Sequence, residues 1–204
     1  MSSNAESTPS ADEALQRLKE GNARFLAGAA RFPTGQKEIL ADLAKGQHPY
    51  ATILSCSDSR VPPELIFDAG FGELFIIRVA GNVLSPEIAG SIQYAGRHLH
   101  TPLFVVLGHT KCGAVSAAVD SRLRGTRQAS RIQLLVDSIL PSLADLDPQL
   151  SPEAMSAQAV EANVRWTMRQ ILDTPEGRER QAEGSVKLVG AIYEIETGRV
   201  RFLE

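Results

Sequence analysis

The chain has 204 residues, 43% of them hydrophobic, which suffices for one sizeable core and makes a single domain the default. Lysine and arginine number 21 against 24 acidic residues, a formal charge of -3, so no global field draws the protein toward nucleic acid or anionic lipid. No apolar run reaches the length of a bilayer span, and MSSNAESTPS has neither the basic start nor the apolar stretch of an export signal. The expectation is therefore a cytoplasmic protein with no nucleic-acid and no membrane partner.

Residues 1–10 read as a disordered leader ahead of one domain over 11–204. Ser10 and Glu13 form a capping box, and a helix is expected to follow, with Leu15, Leu18, Phe25 and Leu26 on one face. A second short helical stretch follows Pro33. ATILS at 51–55, ELFIIRVA at 73–80 and PLFVVLG at 102–108 are short apolar runs rich in branched side chains, the composition of buried strands. PPELIFDAG and SPEIAGSIQYAGRHLH supply helices between them, the latter with Ser85 and Pro86 suited to a cap and first turn. Residues 129–146 and 152–172 carry helical periodicity. KLVGAIYEIETGRVRFLE closes the chain as a hairpin turning at Glu196, Thr197 and Gly198. This order predicts an α/β fold: a mainly parallel central sheet of about four strands plus an antiparallel C-terminal edge strand, flanked by helices, with an N-terminal helical arm. The arginines between Arg122 and Arg131 lack interleaved aromatics and read as a solvated face, and Trp166 as packing.

The chemistry concentrates in two motifs, CSDSR at 56–60 and HTKC at 109–112, which hold both cysteines of the chain. Each follows a strand, so both fall at the carboxyl edge of a parallel sheet, where ligand sites form. Two sulfurs, an imidazole and the carboxylate of Asp58 make a donor set that suits zinc. From the residues alone, a buried small-residue role for the cysteines, a disulfide and a metal site all stay open. Asp58 and Arg60, two apart on an extended segment, point the same way and can pair, which by itself is equally a structural contact.

CSDSRV, the strand ELFIIRVAGN and GHTKCGA, with EGNARF in the first helix and the closing VGAIYEIETG, resemble the β-class carbonic anhydrases over nearly the whole chain after residue 10. The resemblance implies one zinc ion per subunit held by Cys56, His109 and Cys112. Water takes the fourth position, or Asp58 does so in a closed state only, according to whether Asp58 pairs with Arg60. The implied reaction is the reversible hydration of carbon dioxide to bicarbonate and a proton by a zinc-bound hydroxide, with Asp58 and Arg60 organising the nucleophile. Because two thiolates cancel the formal charge of the metal, hydration is expected to climb between about pH 7 and 9. Gln47, Phe75, Tyr94 and Gly113 match substrate-pocket positions, the two aromatics often being contributed by an adjoining subunit, and a homodimer or homotetramer is expected.

Two alternatives accompany this reading. One is hydrolysis of carbonyl sulfide or carbon disulfide at the same ligands. The other, of a different class, is a zinc-stabilised or redox-sensing binding module that catalyses nothing. The sequence also departs from family members that bind regulatory bicarbonate: the tryptophan three residues before the first zinc cysteine is Ile53 here, although Arg78 remains. No histidine is placed clearly as a proton relay; His48 adjoins Gln47, while His98 and His100 end a helix.

Overall fold

The structure, a computed structural model, describes residues 8–31, 40–41, 43–184 and 186–203. The first seven leader residues and most of the helical stretch expected after Pro33 lie outside them.

Helix α1 spans Ala11–Leu26 and begins as its capping box requires. The Ser10 amide donates to Glu13 Oε2 at 2.7 Å, and the Glu13 amide donates to Ser10 Oγ at 3.2 Å. Four parallel strands follow in the chain: β1 (Ala51–Ser55), β2 (Leu74–Arg78), β3 (Leu103–His109) and β4 (Lys187–Tyr193). The short β5 (Val200–Phe202) runs antiparallel to β4, giving the sheet order β2-β1-β3-β4-β5. The mainly parallel sheet with an antiparallel C-terminal edge strand is thus as the sequence predicts.

Between the strands lie α2 (Pro63–Ile66), α3 (Pro86–His98) and α4 (Gly113–Arg124). The later part of the chain holds α5 (Ser130–Ile139), α6 (Pro152–Leu172) and α7 (Pro175–Glu183). The helix expected over 129–146 stops at Ile139 and tightens into a 3₁₀ turn over Leu140–Leu143. Pro141, which has no amide hydrogen, sits at that change. Helix α7 carries no buried residue and gives no apolar periodicity from which it could be foreseen.

Alternation along the strands divides the core into two layers. Ala51, Ile53, Leu103, Val105 and Leu107 face α1 and α2, together with Phe67. Val106 and Ile192 face the layer built from α4, α5 and α6, which also contains Cys56 and Cys112. Because both faces of the sheet are covered, β1 and β3 are buried at every position. The expected face of α1 packs on the core through Leu18, with Leu15 and Phe25 partly buried against the same layer, while Ala14, Gly21 and Asn22 join it as buried residues and Leu26 is 45% exposed. Among the described residues, no helix is long and apolar enough to cross a membrane.

Candidate active site

Cys56 is the first residue beyond β1, and His109 is the last of β3, the neighbouring parallel strand. The two therefore meet at one carboxyl edge of the sheet. Cys112 reaches the same place through a tight reversal, in which Lys111 adopts a left-handed backbone (φ 57°) and Cys112 becomes the N-cap of α4. Thr110 fixes this reversal to the β4–β5 connection. Its amide donates to the Tyr193 carbonyl at 2.9 Å, its hydroxyl donates to Glu196 Oε2 at 3.0 Å, and that hydroxyl accepts from the Ile195 amide at 3.0 Å. Glu196 also pairs with Lys111 at 2.5 Å, and chiefly for that reason its carboxyl titrates far down, at about 2.

The ligand atoms of Cys56, His109 and Cys112 all lie within 4.8 Å of one another, and all three residues are buried. The His109 ring is oriented through Nδ1, which lies 2.9 Å from the Thr110 carbonyl, leaving the buried Nε2 with no hydrogen-bond partner among the described residues. Neither cysteine is bridged. A disulfide and a plain core role both fit poorly with an orphaned imidazole nitrogen turned toward two free sulfurs. Zinc fits well: it accepts thiolate and imidazole together and removes the cost of burying that nitrogen unpaired. The two sulfurs compete for one proton. A hydrogen bond from Cys112, set against burial and assisted by His109 and the Gly81 amide, pushes the Cys56 thiol down. The same bond, with burial, pushes Cys112 up. A cation bound to both would replace that shared proton.

Asp58 stands beside this cluster rather than in it. Arg60 grips its carboxylate with Nε to Oδ1 at 2.9 Å and a terminal nitrogen to Oδ2 at 2.8 Å, and the Arg60 amide adds a bond of 3.0 Å to Oδ1. Arg60 thereby holds Asp58 well below the usual carboxylate range. Asp58 Oδ2 remains 3.9 Å from His109 Nε2.

Residues not assigned to the site from sequence support it through the backbone. Arg78, closing β2, donates through Nε to the Cys56 carbonyl at 3.0 Å and through a terminal nitrogen to the Asp58 carbonyl at 2.6 Å. A single charged residue at the end of an apolar strand was the available signal. Gly81, in the turn after β2, donates its amide to Cys56 Sγ at 3.3 Å.

The four pocket positions divide. Gly113 directly follows Cys112 and opens α4, with free space where a side chain would stand. Gln47 is exposed, four residues ahead of β1 and so at that strand's opposite end. Phe75 lies opposite Thr52, about 10 Å short of the carboxyl edge. It stacks at 6.1 Å on Tyr94, which is 46% exposed and in turn 5.0 Å from His98. Within one chain these three residues are not brought to the cysteine–histidine cluster.

With this geometry in view, a family model described as carbonic anhydrase matches residues 51–200. The carbonic anhydrase 2 of Mycobacterium tuberculosis is 39% identical over 91% of this chain and 89% of its own length. The carbonic anhydrase of Mycolicibacterium smegmatis is 37% identical over 92% and 90%. Among solved structures, the β-carbonic anhydrase CafA of Aspergillus fumigatus superposes with a TM-score of 0.74 at 29% identity, covering 95% of this chain and 90% of that one. The Coccomyxa β-carbonic anhydrase in complex with acetazolamide gives 0.74 at 26% identity, over 93% and 86%.

Proposed function

The chain belongs to the β-carbonic anhydrase family, and we propose that it carries out the family's reversible hydration of carbon dioxide at a zinc ion held by Cys56, His109 and Cys112. When bound, the ion supplies the Lewis acidity that makes water a nucleophile near neutral pH. The surrounding residues then have separable tasks. Asp58, kept ionised by Arg60, offers Oδ2 on the side of His109 Nε2, where it accepts a hydrogen bond from the attacking water and fixes its orientation. Arg60 acts as the latch on Asp58, and Arg78 holds the Cys56 and Asp58 carbonyls in place. Gly113 leaves room for substrate beside Cys112.

One observation carries the reading: three buried donors of zinc type converge while both oxygens of the nearest carboxylate are committed to an arginine. A purely structural zinc needs four permanent protein ligands, and that arrangement offers only three. We further propose that two copies associate along β2, so that Gln47, Phe75 and Tyr94 of one serve the pocket of the other. The purified protein is expected to hold one zinc per chain by atomic emission and to hydrate carbon dioxide in stopped flow. Cys112→Ser should lose both properties together. Full activity in zinc-free protein would overturn the proposal.

A further inference from the structure

Helix α6 presents Ala159, Val160, Asn163, Val164 and Thr167 to the core. Two of these are polar, at helical spacing of four, and they are 1% and 0% exposed. Both turn toward the short segment between β2 and α3. Asn163 Nδ2 donates to the Gly81 carbonyl at 2.8 Å, and Thr167 Oγ1 donates to the Asn82 carbonyl at 3.2 Å. The peptide unit joining Gly81 to Asn82 is therefore gripped at both ends, because its N–H donates to the Val79 carbonyl at 2.9 Å while its oxygen takes the Asn163 amide. On the other side of Gly81, the preceding peptide unit aims its N–H at Cys56 Sγ.

Gly81 is the hinge between these two units. Its backbone is left-handed (φ 71°), and a Cβ there would stand 2.8 Å from Ile139 Cδ1 and 3.1 Å from Ala114 Cβ. Glycine is thus required, and glycine is also the residue least able to hold its own dihedrals. Something outside must fix them. Asn163 is an uneconomical packing residue, since among the described residues its Oδ1 has no partner and an apolar side chain of the same branching, leucine, carries no buried polar atom. What the amide contributes is direction.

We propose that Asn163 is a positioning residue of the metal centre: by holding the Gly81 carbonyl it aims the Gly81 N–H at the Cys56 sulfur and fixes that sulfur as a ligand. The inference rests on the zinc reading above. Thr167 provides the internal control, because it grips the next peptide unit along, one step further from the sulfur, and is buried just as deeply.

The test uses the whole protein with cobalt(II) in place of zinc, whose sulfur-to-metal charge-transfer bands report the thiolate environment directly. Asn163→Leu is expected to shift those bands and to release metal to a chelator about tenfold faster than wild type. Thr167→Val should lower the thermal midpoint yet keep the spectrum and a release rate within about twofold of wild type. Equal effects of the two variants on spectrum and release, or no effect of either, would overturn the inference. Should Asn163→Leu not fold, Asn163→Ser, whose hydroxyl is too short to reach Gly81, makes the same comparison. A wild-type protein that takes up no metal would bring down the zinc reading and this inference with it. Normal uptake with Asn163→Leu behaving like Thr167→Val removes this inference alone.

Discussion

Asp58 is the residue on which catalysis and structure are most easily told apart. Its charge is secured by three bonds from Arg60, so its carboxylate stays ionised far below neutrality and does not titrate in the working range. Asp58→Asn keeps the shape and removes the charge. It is expected to retain full metal content while kcat/KM falls about 100-fold, as measured by emission spectroscopy and stopped flow. The pH profile adds a sign. A group whose value is depressed loses its contribution only as pH falls through that low value, so Asp58 supplies none of the rise in hydration expected between about pH 7 and 9. That rise should survive in Asp58→Asn, and its disappearance would assign it to the carboxylate. At this scale the sequence exposes residues that carry unusual chemistry within a few positions of each other, as CSDSR and HTKC do. Arg78 shows in it only as a charge closing an apolar strand, and Gly81 and Asn163 are invisible because their partners are a sulfur and a backbone carbonyl 25 and 82 positions away.

Among elements, α1 shows how close packing is achieved by residues that no hydropathy pattern selects. Gly21 lies against the end of α2 so tightly that a Cβ would fall 1.7 Å from the Phe67 carbonyl oxygen. Next to it, buried Asn22 donates to the Ile66 carbonyl at 3.2 Å and the Gly198 carbonyl at 2.9 Å, and accepts from the Val200 amide at 3.0 Å. One side chain thus ties the first helix to α2 and to the final hairpin. Gly21→Ala should improve intrinsic helix propensity by about 1 kcal/mol and nevertheless destabilise the protein by about 3 kcal/mol, because two backbones must part. Urea unfolding measures the difference, and a more stable variant would contradict the contact. The capping box and Leu18 announce α1 from sequence, and the strands are legible because burial on both faces makes them continuously apolar. The part of the buried face that Gly21 and Asn22 supply is not legible, since neither is apolar. Nor is α7, which touches the core with nothing.

The molecule as a whole leaves the cysteine–histidine edge and the proposed substrate-pocket residues in different places. Among the described residues the sheet ends on one side at β2, whose residues are mostly half-buried, an edge of backbone donors and acceptors of the kind that recruits another strand. Beside it stands the Phe75–Tyr94–His98 ring cluster, and Phe71, three residues ahead of the strand, is 61% exposed. A self-complementary association about this edge would cover the apolar surface and carry Gln47, Phe75 and Tyr94 toward a second copy. Activity then depends on assembly, and metal binding does not. Placing a charge at the centre of that surface separates the two: Tyr94→Glu is expected to yield a zinc-loaded monomer by light scattering, with hydration reduced about 100-fold or more. The wild type should likewise lose specific activity on dilution as the assembly dissociates. A Tyr94→Glu monomer that hydrates carbon dioxide at the wild-type rate would show that one chain holds a complete pocket, and Gln47 and Phe75 would then have no part in catalysis.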